Sequence, residues 1–315
     1  MMRKCFVFIL LLFTGVFLIS CSDDHKHETY EKTIGACLSQ TTVTPYGVHL
    51  RQSLEELCES QNWKFVCLDA ERDAAKQQTQ AEAMAEMDID LFLFWPTERS
   101  AGVAICKTFY EKGIPIVIMN GDIAEEGYPY TTAFVGPDQY MMAHDIGEYL
   151  VKTTPDGGNA VMINGGIAST QFLLRQQGFE DAIAGSGIKL LQVEFSESDR
   201  ANAQNLMANY LSLYNDIDIV YCASDNLALG AIKAIDAAGR EGLRIVSIDG
   251  MKEAFDYIRE GKIELTVRQT PYDTALKFIE TAQTIFSGKE LPERNCFNDY
   301  VLITAENVDD YEPSY

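Results

Sequence analysis

Between Ile217 and Gly250 the chain reads IDIVYCASDNLALGAIKAIDAAGREGLRIVSIDG, and this stretch restricts the fold more than any other. The apolar run from Ile217 to Cys222 is followed by Ser224-Asp225-Asn226, side-chain oxygens of the kind that cap a helix start. Leu227, Leu229, Ile232, Ile235 and Ala238 then recur at helical spacing, and Gly239 stands where a helix ends on a left-handed residue. A second apolar run, Leu243 to Ile248, stops at Asp249-Gly250. Two short strands joined by a helix make a βαβ unit, whose strands are parallel and whose strand-end loops gather on one edge of the sheet. Ser224, Asp225 and Asp249 are therefore expected on one rim.

The same unit recurs along the chain. Strand-like runs cover 34–38, 63–68, 89–94, 114–119, 160–163, 189–195, 217–222, 243–248, 263–268 and 300–303, with helical patterns at 50–60, 69–87, 98–112, 138–152, 170–184, 199–213, 225–238, 253–260 and 272–286. A segment at 131–135 reads as a crossing strand. Alternation of this kind predicts doubly wound parallel sheets, and about ten strands exceed one comfortable sheet. The expected fold class is α/β, with two doubly wound parallel-sheet lobes joined by a three-segment hinge. One lobe is expected from 33–134 plus 270–296, the other from 135–269 plus 297–315.

The first twenty residues read as a signal peptide. Arg3 and Lys4 precede an apolar run from Phe6 to Ile19, too short for a comfortable membrane span. The run ends at Leu18-Ile19-Ser20-Cys21, which resembles the lipobox of bacterial lipoproteins and marks Cys21 as a lipid anchor. Residues 21–32 are then a polar tether. His25 and His27 lie in it with Glu28, a set that reads as solvated rather than as a metal site.

With 315 residues, 47% of them hydrophobic, the chain can build two ordinary cores. A formal charge of −22 opposes binding to nucleic acid or anionic membrane surfaces. Six cysteines remain after Cys5 and Cys21; most sit in apolar runs such as FVCLDA and IVYCAS and read as buried thiols. Gly165-Gly166 lacks the ending of a phosphate loop and reads as a turn. No catalytic constellation or cofactor motif stands out, and only His49 and His144 fall in the folded part, so an enzyme is not expected.

The segments IGACLSQTTVTPYGVHLRQSLEELCESQNWKF, LFLFWPTERSAG, EKGIPIVIMN, RQQGFEDAI, ASDNLALGAIKAIDAAG, IVSIDG and GKIELTVRQTPYDTA, in this order, resemble the ribose- and galactose-type periplasmic sugar-binding proteins. Lactose-repressor-type transcription factors share that fold, but a signal segment stands where their helix-turn-helix headpiece would precede residue 33.

The resemblance implies a type I periplasmic binding protein with Tyr46 stacking on a sugar ring, Asp249 accepting from sugar hydroxyls and Gln269 assisting from the hinge. It also places Ser224 and Arg175 toward the ligand. Register at Arg175 is open by two residues, with Leu173 the alternative. Asp225 matches a family aspartate but is also explained as a helix cap. Three positions depart from the family pattern: Asn120-Gly121 replaces an aspartate-arginine pair, Trp95 replaces an asparagine, and Ser198 replaces an aromatic. Trp95 is thus either a second stacking wall or a plug at the cleft base.

The implied activity is closure on a small sugar or polyol of a shape other than ribose or glucose, by a monomer in the periplasm or at the cell surface. Its membrane partner would be an ABC permease or, alternatively, a receptor kinase that senses the ligand.

Overall fold

The computed structural model describes residues 30–315, so the signal segment, the lipid site at Cys21 and the His25, His27 and Glu28 set lie outside the described residues. In chain order the first elements are β1 (Lys32–Leu38), α1 (Pro45–Ser60), β2 (Trp63–Asp69), α2 (Ala74–Ala85), β3 (Leu91–Phe94), α3 (Arg99–Glu111), β4 (Ile116–Met119), a 3-10 turn (Glu125–Tyr130) and β5 (Ala133–Pro137). Next come α4 (Gln139–Thr153), β6 (Gly158–Asn164), α5 (Thr170–Ile183), β7 (Ile188–Phe195), α6 (Arg200–Leu213), β8 (Ile219–Cys222), α7 (Asp225–Ala238), β9 (Arg244–Asp249) and α8 (Lys252–Arg259). The chain finishes with β10 (Leu265–Arg268), α9 (Pro271–Phe286), β11 (Asn295–Asn298) and β12 (Val301–Thr304).

These strands form two six-stranded sheets, ordered β11-β5-β4-β3-β1-β2 and β12-β10-β9-β8-β6-β7. The pairings are parallel except that of β12, which runs antiparallel to β10. Helices cover both faces, which is why central strands such as LFLF, IVIM and IVYC are apolar at every position and wholly buried. The helices start at the strand ends because the sequence supplies caps: Thr44, Asp73, Asp138, Asp199 and Thr270 each accept a bond from a backbone N–H of the first turn. Gly239 ends α7 in the left-handed conformation at φ +61°, as its position after the apolar stripe predicts.

Several boundaries differ from the sequence reading. The helix expected from Leu50 begins at Pro45, because Thr44 caps it and proline's fixed φ suits the first turn; Tyr46 is consequently a helical residue. The segment read as a crossing strand is an integral member of the first sheet, pairing β4 through Val117–Ala133 and continuing to Pro137. A lobe boundary at 134/135 would cut that strand, so the chain leaves the first sheet only at Asp138. Likewise 296/297 falls inside β11, a strand that pairs with β5 in register Asn295–Phe134. The third passage is thus at Asp299-Tyr300, between β11 and β12.

Among the described residues the six cysteines are free, four of them buried. Burial pushes the thiols of Cys37, Cys58 and Cys106 up to about 12, so they behave as small apolar side chains. No helix among the described residues is long and apolar enough to cross a membrane.

Candidate functional site

The carboxyl edges of the two sheets face each other across a narrow cleft, where Tyr46, Trp95, Asn120, Arg175, Ser224, Asp249 and Gln269 all line one cavity. Gln40, Gln171, Phe172 and Tyr315 complete much of its wall. Bonds across the cleft hold the lobes close: Thr170 Oγ1 donates to Asp122 O at 2.6 Å, and Arg72 Nη1 to Glu197 O at 2.8 Å.

One side is aromatic. Tyr46, in the first turn of α1, meets Trp95 edge-on with ring centroids 6.1 Å apart, and its hydroxyl shares a 3.1 Å hydrogen bond with Thr274 of α9. Burial pushes that phenol well above its ordinary range. Trp95 follows β3 directly, and its carbonyl accepts from Gln77 Nε2 at 2.8 Å, which fixes the backbone beneath the indole.

The opposite side is polar and tightly wired. Asn120, at the end of β4, accepts at its carbonyl from Gln139 Nε2 at 3.1 Å. Gln139 Oε1 in turn accepts from Arg175 Nε at 2.8 Å, and Arg175 Nη1 donates to the Ala223 carbonyl. Arg175 is only 2% exposed and lies 5.6 Å from the Phe172 ring centroid, so of the two registers left open by the sequence it is the arginine that reaches the cleft. A guanidinium so enclosed persists because each of these partners is fixed.

Asp249, at the end of β9, accepts from Gln269 Nε2 at 2.9 Å. Burial raises its carboxyl above the usual range, and the Arg175 charge pulls it partly back. Asp249 and Asn120 both have positive φ, +136° and +64°, conformations that cost a non-glycine residue energy and are held by the surrounding bonds.

Asp225 corrects the sequence reading. Its side chain does not cap α7; it accepts from Thr266 Oγ1 at 2.7 Å, Met251 N at 2.7 Å and Ser247 Oγ, tying β9, β10 and the start of α8 together beneath Asp249. Ser224 occupies the N-cap position without a side-chain capping bond and faces the cavity.

Two acceptors in the wall have no partner. Gln171 Oε1 and Gln269 Oε1 are buried and unbonded. A buried carbonyl left bare costs roughly 1–3 kcal/mol, and both residues line this cavity. Gln171 went unread in the sequence, although it stands four residues before Arg175 and so on the same helical face. Tyr315 gave no sequence signal at all. A larger open groove of about 670 Å³ adjoins the cleft, but a prominent acid there, Asp122, is already paired bidentately with Arg294 at 2.8 Å.

The periplasmic binding protein domain family matches residues 34–290. The ribose import binding protein of Escherichia coli (strain K12) is 23% identical over 256 residues, which cover 81% of this chain and 86% of that protein. An ABC transporter solute binding protein from Bacillus halodurans C-125 with bound myo-inositol has a TM-score of 0.83 at 26% identity, covering 91% of this chain and 99% of that one. The fructose binding periplasmic domain of a hybrid two component system has a TM-score of 0.82 at 24% identity, covering 89% and 92%.

Proposed function

Because this chain belongs to the periplasmic binding protein family, we propose that it is an extracytoplasmic receptor that closes on a neutral small sugar or polyol and presents it for ABC-type uptake. The observation that carries this reading is the pair of unpartnered carbonyls, Gln171 Oε1 and Gln269 Oε1, opening into the same cavity as Asp249. Ligand hydroxyls would donate to these three oxygens, while Arg175 and Ser224 supply donors and the indole of Trp95 covers an apolar C–H face. Nothing in that set performs chemistry: the acids are spent on holding and accepting, and the role is binding, not catalysis.

Cyclic polyols come first among candidates because the relative bound to myo-inositol is 26% identical along nearly the whole chain. Pentoses come second, on the likeness to the ribose protein. Lipidation at Cys21 would keep the receptor at the membrane, facing its permease in the periplasm or at the cell surface, as a monomer. Presentation to a receptor kinase is the alternative partner. It uses the same closure, and the likeness to the two component system domain at 24% identity extends to the fold alone.

A thermal-shift screen against millimolar ribose, fructose, xylitol and myo-inositol tests the reading, since a ligand that binds only the folded form raises the melting temperature. A flat response across such a panel would sink the sugar assignment, and appearance of a product would sink the binding-only role.

A further inference from the structure

The last four residues carry Tyr315 into the middle of the proposed sugar site. Arg268 Nε donates to the Glu312 carbonyl at 2.7 Å, Ser314 Oγ to the Asp249 carbonyl at 2.6 Å, Ser314 N to Gly250 O at 2.7 Å and Lys252 N to Tyr315 O at 3.0 Å. Gly250 permits this path: its φ is +77°, and a Cβ there would stand 2.8 Å from Ser314 Oγ. The segment is thereby fixed to the second lobe.

From that anchor the Tyr315 ring reaches the first lobe. It lies edge-on to Tyr46 with centroids 6.1 Å apart and stacks on His49 at 5.2 Å. Its phenol lines the same cavity as Asp249, and burial, then the charge of that carboxylate, raises it well above the ordinary range. A polar-tipped ring held against aromatic side chains in the cavity that Asp249 lines takes the place assigned above to a sugar. Only about 50 Å³ of the cavity then remains free. A cavity of about 150 Å³ holds a benzene ring, so a six-membered sugar and the Tyr315 side chain cannot share the closed cleft.

We infer that Tyr315 is a built-in occupant of the ligand site: it bridges the lobes when no ligand is bound, and a ring-sized sugar or polyol enters by displacing it. The inference rests on the sugar-site reading for its competitor, but the bridging itself does not. Displacement lowers the apparent affinity by the fraction of molecules in which Tyr315 is seated. It also lets the receptor adopt a closed shape without ligand.

The test is calorimetric titration of myo-inositol, ribose, fructose and xylitol into the unaltered protein, Tyr315→Ala and Tyr315→Phe, with solution X-ray scattering of each ligand-free protein. Tyr315→Ala should bind the best of the panel about tenfold tighter or more, and its ligand-free scattering should show a larger radius of gyration. Tyr315→Phe keeps the ring and loses only the hydroxyl, so it should gain less. Equal or weaker binding by Tyr315→Ala would overturn the inference and make the ring a wall of the site. If none of the three proteins binds any of the panel, the sugar reading fails. Scattering then decides the inference alone: an unchanged radius in Tyr315→Ala overturns it, and a larger one sustains the bridge.

Discussion

Gln269 gives its Nε2 to Asp249 Oδ1 at 2.9 Å while the Oε1 of the same amide, though buried, has no partner. The two residues end neighbouring parallel strands, with Arg268 of β10 in register with Asp249 of β9. The amide orientation is therefore fixed, because a flip would set its oxygen against a carboxylate. Gln269→Leu removes both the orienting donor and the ligand acceptor. It should weaken ligand binding by about 10- to 100-fold, the equivalent of about 1.4–2.7 kcal/mol, with the protein still folded. Titration calorimetry beside a denaturation curve checks this; full affinity in a folded variant would mean that the carbonyl faces no ligand.

Arg175 links the polar wall across the lobes, from Asn120 through Gln139 to the Ala223 carbonyl. Arg175→Met would strand Gln139 Oε1 and the Ala223 carbonyl and leave the buried Asp249 without its nearby positive charge. A loss of about 3–5 kcal/mol of stability is expected, read from the urea midpoint. Arg175→Lys should recover little, since one ammonium cannot reproduce the planar fork. A lysine variant as stable as the parent would show that charge alone matters there.

Much of this fold was legible because strands buried on both faces are written as unbroken apolar runs. IVYC, RIVSID and VMIN could be placed, and with them the rim residues Ser224 and Asp249. The strand β11 was not legible: NCFN lies at the sheet edge, half exposed, and carries no run or alternation strong enough to mark it. The role of Asp225 escaped for a different reason. Its partners Ser247 and Thr266 are 22 and 41 residues away, and a local cap was the nearer explanation. Tyr315 meets Tyr46 from the far end of the chain, a contact made by tertiary packing that no local pattern encodes.

Acidity should report on the buried acids. Burial raises the carboxyls of Asp225 and Asp249 above the ordinary range near 4, and the charge of Asp249 raises Asp225 further. An acid whose folded pKa exceeds its unfolded one holds its proton more tightly in the native state. Its stabilising effect is complete below the unfolded value and is lost as the pH rises through the folded value. This pair should thus make the ligand-free protein more stable near pH 5 than near pH 8. Asp249→Asn keeps an oxygen for Gln269 and removes one charge, so it should raise the melting temperature near pH 8 by about 2–4 °C and flatten the trend. Melts across that range in both proteins check the sign; an unaltered slope in Asp249→Asn would assign the pH response to other groups.

The chain has two tryptophans, and they occupy contrasting places. Trp95 lines the cleft beside Tyr46, whereas Trp63 begins β2 and packs edge-on against Phe286 with centroids 5.2 Å apart. A ligand laid against the indole changes the surroundings of Trp95 alone, so its emission should shift on ligand addition. Trp63→Phe should keep that shift and Trp95→Phe should lose it. Trp95→Phe should also bind about tenfold more weakly, because phenyl offers less area to a sugar face and no N–H. If the ligand-dependent emission persisted in Trp95→Phe at full affinity, the ligand would not touch the indole, and the residue would be the plug at the cleft base instead of its wall.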